Sequence, residues 1–182
     1  MKRRTERRAF FRWGFLLWDR RGSNNRWAFL LVLSIPIFLL CERYVVSAGR
    51  VTDFSMLPTL KPGGYFLVNR FIVRLSPIRR GDVVVVKPVN HPHWYYVKRV
   101  VAVGGETLSI SGGRVSVNGR PLQEPYAVGN TEPEMAPNRI PEGSYFLLGD
   151  NRMASEDSRA FGSVPRERIT GKIRPGRLFS LF

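Results

Sequence analysis

The apolar positions along the chain fall into two regimes. Trp27 to Cys41 reads WAFLLVLSIPIFLLC, fifteen residues without a charge. It lacks the polar stripe that a helix packed on a soluble core carries every three to four residues. Fifteen helical residues extend about 22 Å, short of a hydrocarbon core of roughly 30 Å. Continuing through Glu42 and Arg43 into Tyr44-Val45-Val46-Ser47-Ala48 gives 22 residues. Arg26 and Arg43 have stems long enough to reach head groups, and Pro36 kinks such a helix without excluding it. The pattern predicts a single transmembrane helix over 27–48. Beyond it the period shortens: runs rich in β-branched and aromatic residues at 65–69, 82–87, 94–103, 107–110, 114–118 and 144–148 are separated by glycine and proline. Asn118-Gly119 supplies a hairpin turn, with further turns at Pro62-Gly63-Gly64, Arg80-Gly81-Asp82 and Glu142-Gly143. Residues 129–140, polar and rich in breakers, read as an exposed loop. The expected fold is mainly β: the anchor, then an all-β domain over 49–182 with turns and short helices.

Length and charge sharpen this picture. A chain of 182 residues has room for one ordinary core plus an anchor. Lysine and arginine outnumber aspartate and glutamate 29 to 14, which calls for an acidic partner, either nucleic acid or an anionic lipid surface. Nine of the basic side chains lie within residues 1–26, against Glu6 and Asp19 alone, directly before the apolar run. That placement favours anionic membrane lipids over nucleic acid, keeps 1–26 in the cytoplasm and puts 49–182 outside the cell membrane. Residues 10–18, aromatic and basic, fit the inner interface. A cleavable secretory signal competes with a retained anchor, since Val46-Ser47-Ala48 offers small residues where leaders are cut. With Cys41 alone, an intrachain disulfide and a cysteine-rich zinc site are both excluded.

Candidate chemistry begins with Ser55, between an extended segment and a proline-stopped turn. A serine hydroxyl without a base is a poor nucleophile, so this segment alone reads as structural. His91 and His93 stand in a proline loop with no acidic residue to orient them, which suits a solvated turn better than a base or a metal site. Lys98 interrupts an apolar strand. An amine on an apolar face loses hydration, its pKa falls, and its neutral form can accept a serine proton. The same residue also reads as an edge-strand lysine that deters aggregation, and both readings stay open at this point. A third segment, 149–162, is densely charged directly after the apolar run 144–148. There Asp157 and Arg159 could pair while Ser155 holds the amine, or the whole could be a surface loop.

Taken together and in order, these segments resemble type I signal peptidases. The resemblance runs through Ser55-Met56-Leu57-Pro58-Thr59-Leu60, Gly81-Asp82-Val83-Val84-Val85-Val86, Tyr96-Val97-Lys98-Arg99-Val100-Val101, and Gly149-Asp150-Asn151-Arg152 with Ser155-Glu156-Asp157-Ser158-Arg159. It implies a membrane-bound serine endopeptidase that cuts leader peptides from exported preproteins after small residues. Ser55 is then the nucleophile, Lys98 the general base, Ser155 the residue orienting Lys98, and Asp157 with Arg159 a supporting ion pair. Val51, Met56, Leu60, Tyr96 and Val97 would shape the substrate pockets, and no metal or organic cofactor is implied.

Two positions depart from the family pattern. Asp53 stands where relatives usually carry serine, threonine or glycine, and Gly104 replaces a frequent proline. A carboxylate cannot donate to an oxyanion, so Asp53 is expected to turn away toward solvent or Arg50, unless burial keeps it protonated. The alternatives are a processing peptidase dedicated to a pilin or conjugation substrate, a self-cleaving serine–lysine regulator, and a membrane-tethered β-domain that binds extended peptides without cutting them. The oligomeric state is not legible from these patterns.

Overall fold

The computed structural model describes residues 24–44, 46–87 and 94–174. The basic head, the 10–18 stretch and the His91/His93 loop lie outside the described residues, as does the Cys41 side chain. The chain divides into two units, 1–39 and 40–182.

Helix α1, Asn24–Tyr44, contains Pro36 and presents its large apolar side chains outward on every face; Trp27, Phe29, Val32 and Phe38 are each about two-thirds exposed. The expected span to Ala48 is corrected at its end, because Val46–Arg50 forms strand β1, paired antiparallel with β2, Tyr65–Asn69. Backbone pairing, available to residues 46–50 and not to a free helix end, draws them into the sheet. No helix among the described residues is by itself long and apolar enough to cross a membrane.

The remaining strands and α-helices are α2 (Arg70–Leu75), β3 (Val83–Val86), β4 (Tyr96–Val103), β5 (Thr107–Ser111), β6 (Arg114–Val117), β7 (Arg120–Pro121), β8 (Met135–Arg139), β9 (Ser144–Leu148), α3 (Ser158–Phe161), β10 (Val164–Pro165) and β11 (Ile169–Ile173). They build a seven-stranded sheet in the order β1-β2-β11-β3-β4-β9-β10 and a four-stranded sheet in the order β7-β6-β5-β8, with every strand pair antiparallel. The mainly-β expectation holds. The loop expected over 129–140 is corrected, since Met135–Arg139 pairs with β5 as β8; its burial is slight, which is why its composition reads as loop. The Asn118-Gly119 turn forms with both residues at positive φ, 52° and 74°, as a tight hairpin requires.

Strand β3 is buried on both faces. Val84 and Val86 join Val73, Val100, Leu147 and Ile169 in one cluster, while Val83 and Val85 join Val51, Met56, Phe66, Val68 and Ile173 in another. Its partner β4 shares this central position, so Lys98, opposite Val84, and Arg99, opposite Val83, are both buried. A third cluster, with Val101, Leu108, Ile110 and Phe146, couples the two sheets.

Candidate active site

Ser55 lies in the turn-rich segment between β1 and β2 and is 3% exposed. Two contacts from the stretch after β9 fix its backbone: the Asn151 N–H donates to the Ser55 carbonyl at 2.9 Å, and Asn151 Nδ2 donates to the Phe54 carbonyl at 3.2 Å. The Ser55 hydroxyl donates to Asp53 Oδ1 at 2.9 Å, and the Ser55 N–H donates to the same oxygen at 3.1 Å. The expectation that Asp53 turns away is therefore corrected. A short carboxylate reaches the N–H two residues ahead without strain, closing an Asx turn.

Lys98 is 2% exposed. Its Nζ lies 5.5 Å from the centre of the Tyr96 ring, whose hydroxyl donates to Glu156 Oε2 at 3.0 Å. Burial is the chief influence on the amine and lowers its pKa below the ordinary lysine value; Arg159 adds to this, while Asp53, Asp157 and Glu156 oppose it. Asp53, bound to Ser55, thus also bears electrostatically on Lys98. Among the described residues no hydrogen bond joins Lys98 to Ser55 or to Ser155.

The segment after β9 holds this neighbourhood together. Gly149 donates its N–H to Asp157 Oδ2 at 3.0 Å. A Cβ at Gly149 would strike the Ser155 hydroxyl and stand 2.6 Å from the Ser55 carbonyl oxygen, so only glycine lets the two serine segments close on it. Asp157 caps α3 and receives Arg159 through Nε and Nη2, both at 2.8 Å. Burial alone would raise the Asp157 carboxyl, but Arg159 and the Gly149 N–H outweigh it and hold the group below its usual range. The Ser155 hydroxyl adds to that lowering from nearby, yet it makes no hydrogen bond of good geometry, and among the described residues Ser155 Oγ is buried without a partner.

A groove of about 320 Å³ runs from β1 to Asp53. Of the residues expected to shape pockets, Val51, Leu60 and Val97 line it, together with Arg50, Thr52 and Tyr95. Met56 is not among the lining residues; at 1% exposed it packs in the core with Val51, Phe66 and Val83. Tyr96 faces Lys98 and Glu156 instead of the groove.

Sequence reasoning missed two buried arginines that brace the site. Arg99 binds Asp150 through two hydrogen bonds, donates to the Gly81 carbonyl at 2.9 Å, and stacks 3.9 Å from the centre of the Tyr126 ring. Arg152 pairs with Glu124 and donates to Thr131 at 2.6 Å. The available signal was Arg99 inside a run of valines, which demands a buried acidic partner.

Residues 24–175 match the family described as signal peptidase, peptidase S26. The chain belongs to this family. Its members are serine endopeptidases. Signal peptidase I of Leptolyngbya laminosa is 36% identical over 147 residues, covering 77% of this chain and 72% of that protein. Signal peptidase I of Bacillus caldolyticus is 33% identical over 171 residues, covering 85% and 90% respectively. A crystal structure of a signal peptidase I from Enterococcus faecalis is 28% identical and superposes with a TM-score of 0.47, covering 54% of this chain and 98% of that one.

The two positions singled out in the sequence, Asp53 and Gly104, both have a local setting. Asp53 holds Ser55. At Gly104 a Cβ would come within 2.9 Å of the Pro141 carbonyl and the Gly143 nitrogen, so the close approach of that turn suits glycine.

Proposed function

We propose that this chain removes N-terminal signal peptides from exported preproteins, cutting after small residues, with Ser55 as nucleophile and Lys98 as general base. The observation that carries this reading is a nearly inaccessible lysine with a lowered pKa and a buried serine, the Asp53 carboxylate being bound to the serine and bearing on the lysine, in a serine endopeptidase family. In its neutral form the amine takes the Ser55 proton as Oγ attacks the scissile carbonyl, then returns it to the departing amine, leaving an acyl-enzyme for water to hydrolyse. The Ser55 N–H supplies one oxyanion donor. The unpartnered Ser155 hydroxyl supports a role for Ser155 in orienting Lys98, and the Asp157–Arg159 pair holds the segment that carries it. The groove lined by Val51, Leu60 and Val97 suits an extended peptide with small apolar side chains. The reading needs no metal or organic cofactor.

In the same proposal the exposed apolar faces of α1 and the basic head attach the protein to a membrane of anionic lipids. Residues 1–26 then stay cytoplasmic and 49–182 lie outside. The test is incubation of the purified full chain with a preprotein bearing a small-x-small leader, the cut being located by mass spectrometry. Wild type should cleave at the leader junction, whereas Ser55→Ala and Lys98→Met should each abolish cleavage. Substantial turnover by either variant would reject the assignment.

A further inference from the structure

Asp53 places one carboxylate oxygen on both groups of Ser55 that the chemistry requires, the hydroxyl proton at 2.9 Å and the backbone N–H at 3.1 Å. An ionised carboxylate only accepts, so while it sits there it occupies the N–H that an oxyanion would need and adds a negative charge beside it. It also holds the Ser55 proton on a carboxylate instead of on Lys98, and no hydrogen bond joins Ser55 to Lys98 among the described residues. Asp53 is itself exposed and lines the groove. A peptide laid in the groove therefore competes for the space Asp53 occupies.

We propose that Asp53 is a positioning residue that caps Ser55 in the free enzyme and is displaced by a peptide filling the groove, so that Ser55 becomes reactive only toward such peptides. This rests on the reading of Ser55 as nucleophile. The cap also acts on the base. The charged groups that bear on Lys98 are Asp53, Asp157, Glu156 and Arg159, with the Tyr96 ring alongside, and Asp53 is the first of those that favour the protonated amine. Moving Asp53 aside releases the Ser55 proton and N–H and removes a group that keeps Lys98 charged.

A capped enzyme binds and reacts in proportion to its uncapped fraction. The experiment compares full-length wild type, Asp53→Ala, Asp53→Asn and Ser55→Ala in detergent, using two reagents. One is p-nitrophenyl acetate, too small to fill the groove, with acetylation of Ser55 read by mass spectrometry. The other is the preprotein. Asp53→Ala should acetylate about tenfold faster than wild type, the scale of one hydrogen bond to a charged group. For the preprotein its KM should fall while kcat stays within about threefold, because the bound state is already uncapped. The acid limb of its kcat/KM profile should move to lower pH, since Lys98 loses a neighbouring carboxylate. Asp53→Asn keeps an acceptor for the turn and loses the charge, so it should shift in the same direction even if Asp53→Ala folds poorly. Acetylation no faster than wild type in both variants would overturn the cap, as would a kcat loss of about a hundredfold at unchanged KM, the mark of direct transition-state support. If Ser55→Ala still cleaves the preprotein, it is the nucleophile assignment that fails, and the cap falls with it.

Discussion

The Arg99 guanidinium meets the Asp150 carboxylate in two parallel hydrogen bonds, Nε to Oδ1 and Nη2 to Oδ2, each at 2.7 Å, with Asp150 fully buried. The residue after Lys98 is thereby tied to the residue after Gly149, locking β4 to the segment that clamps Ser55. Asp150 also receives the Thr59 hydroxyl, close to Ser55 in the chain. Arg99→Met would leave a buried carboxylate without its cation, a loss of about 3–5 kcal/mol for pairs of this kind. Urea unfolding followed by tryptophan fluorescence should show a lower midpoint at unchanged slope. A variant as stable as wild type would mean that this pair does not brace the site.

Gly149→Ala tests the clamp itself. The added Cβ meets the Ser155 side chain on one side and the Ser55 backbone on the other, so both must move together. Small displacements of reacting groups cost about a hundredfold in rate. The expected result is a kcat reduced by that order while most of the protein remains folded at 25 °C. Unchanged kcat in a folded variant would show that the clamp absorbs a methyl group without moving Ser55.

Much of this arrangement was legible in the sequence, for physical reasons that differ by element. The runs 65–69 and 144–148 match β2 and β9 residue for residue, because alternation and flanking breakers define them locally. Strand β11, Ile169–Ile173, was not foreseen: Thr170, Gly171 and Lys172 leave only its two end residues apolar, and it is held by pairing with β2 and β3, far earlier in the chain. Strand β1 was assigned to the helix for the same reason. At the site, Lys98 stood out because a charge inside an apolar strand is an anomaly at any scale of reading. The Asp53–Ser55 contact did not, since it depends on a side-chain rotamer and on where the groove lies. Arg99 among valines signalled a buried acidic partner, but which carboxylate answers it was not legible, because Asp150 lies 51 residues away.

Asp157 gives the acid side of stability a defined sign. Its carboxyl is held below the usual range, chiefly through Arg159 and the Gly149 N–H acting against burial. A group whose folded pKa is depressed stabilises fully above its unfolded value of about 3.9, and that contribution is lost as pH falls through the lower folded value. Asp157→Asn should therefore be clearly less stable than wild type at pH 7, and the gap should narrow as both are taken below about pH 3.9. Denaturant titrations at pH 7, 5 and 3 measure it. A gap that stays constant across that range would show that the charge of Asp157 contributes nothing and that its hydrogen bonds act alone.

The pH dependence of cleavage carries the sign of Lys98. The neutral amine is the competent form in the proposed mechanism, and burial lowers its pKa, so kcat/KM of the free enzyme should rise with pH to a plateau, half-maximal below about 10.4. A serine–histidine mechanism would instead place the rise near the histidine value of about 6.5 and make it depend on His91 or His93. Replacing each histidine by alanine should leave the profile where it is. Ser155→Ala removes the buried hydroxyl that has no hydrogen-bond partner among the described residues, and β4 still holds the Lys98 backbone in place. The expected loss is about tenfold in kcat, the scale of one hydrogen bond made to the amine during reaction, far less than the loss in Lys98→Met. Full activity in Ser155→Ala would remove Ser155 from the mechanism and leave Lys98 positioned by packing alone. An acid limb abolished by either histidine substitution would transfer the role of base away from Lys98.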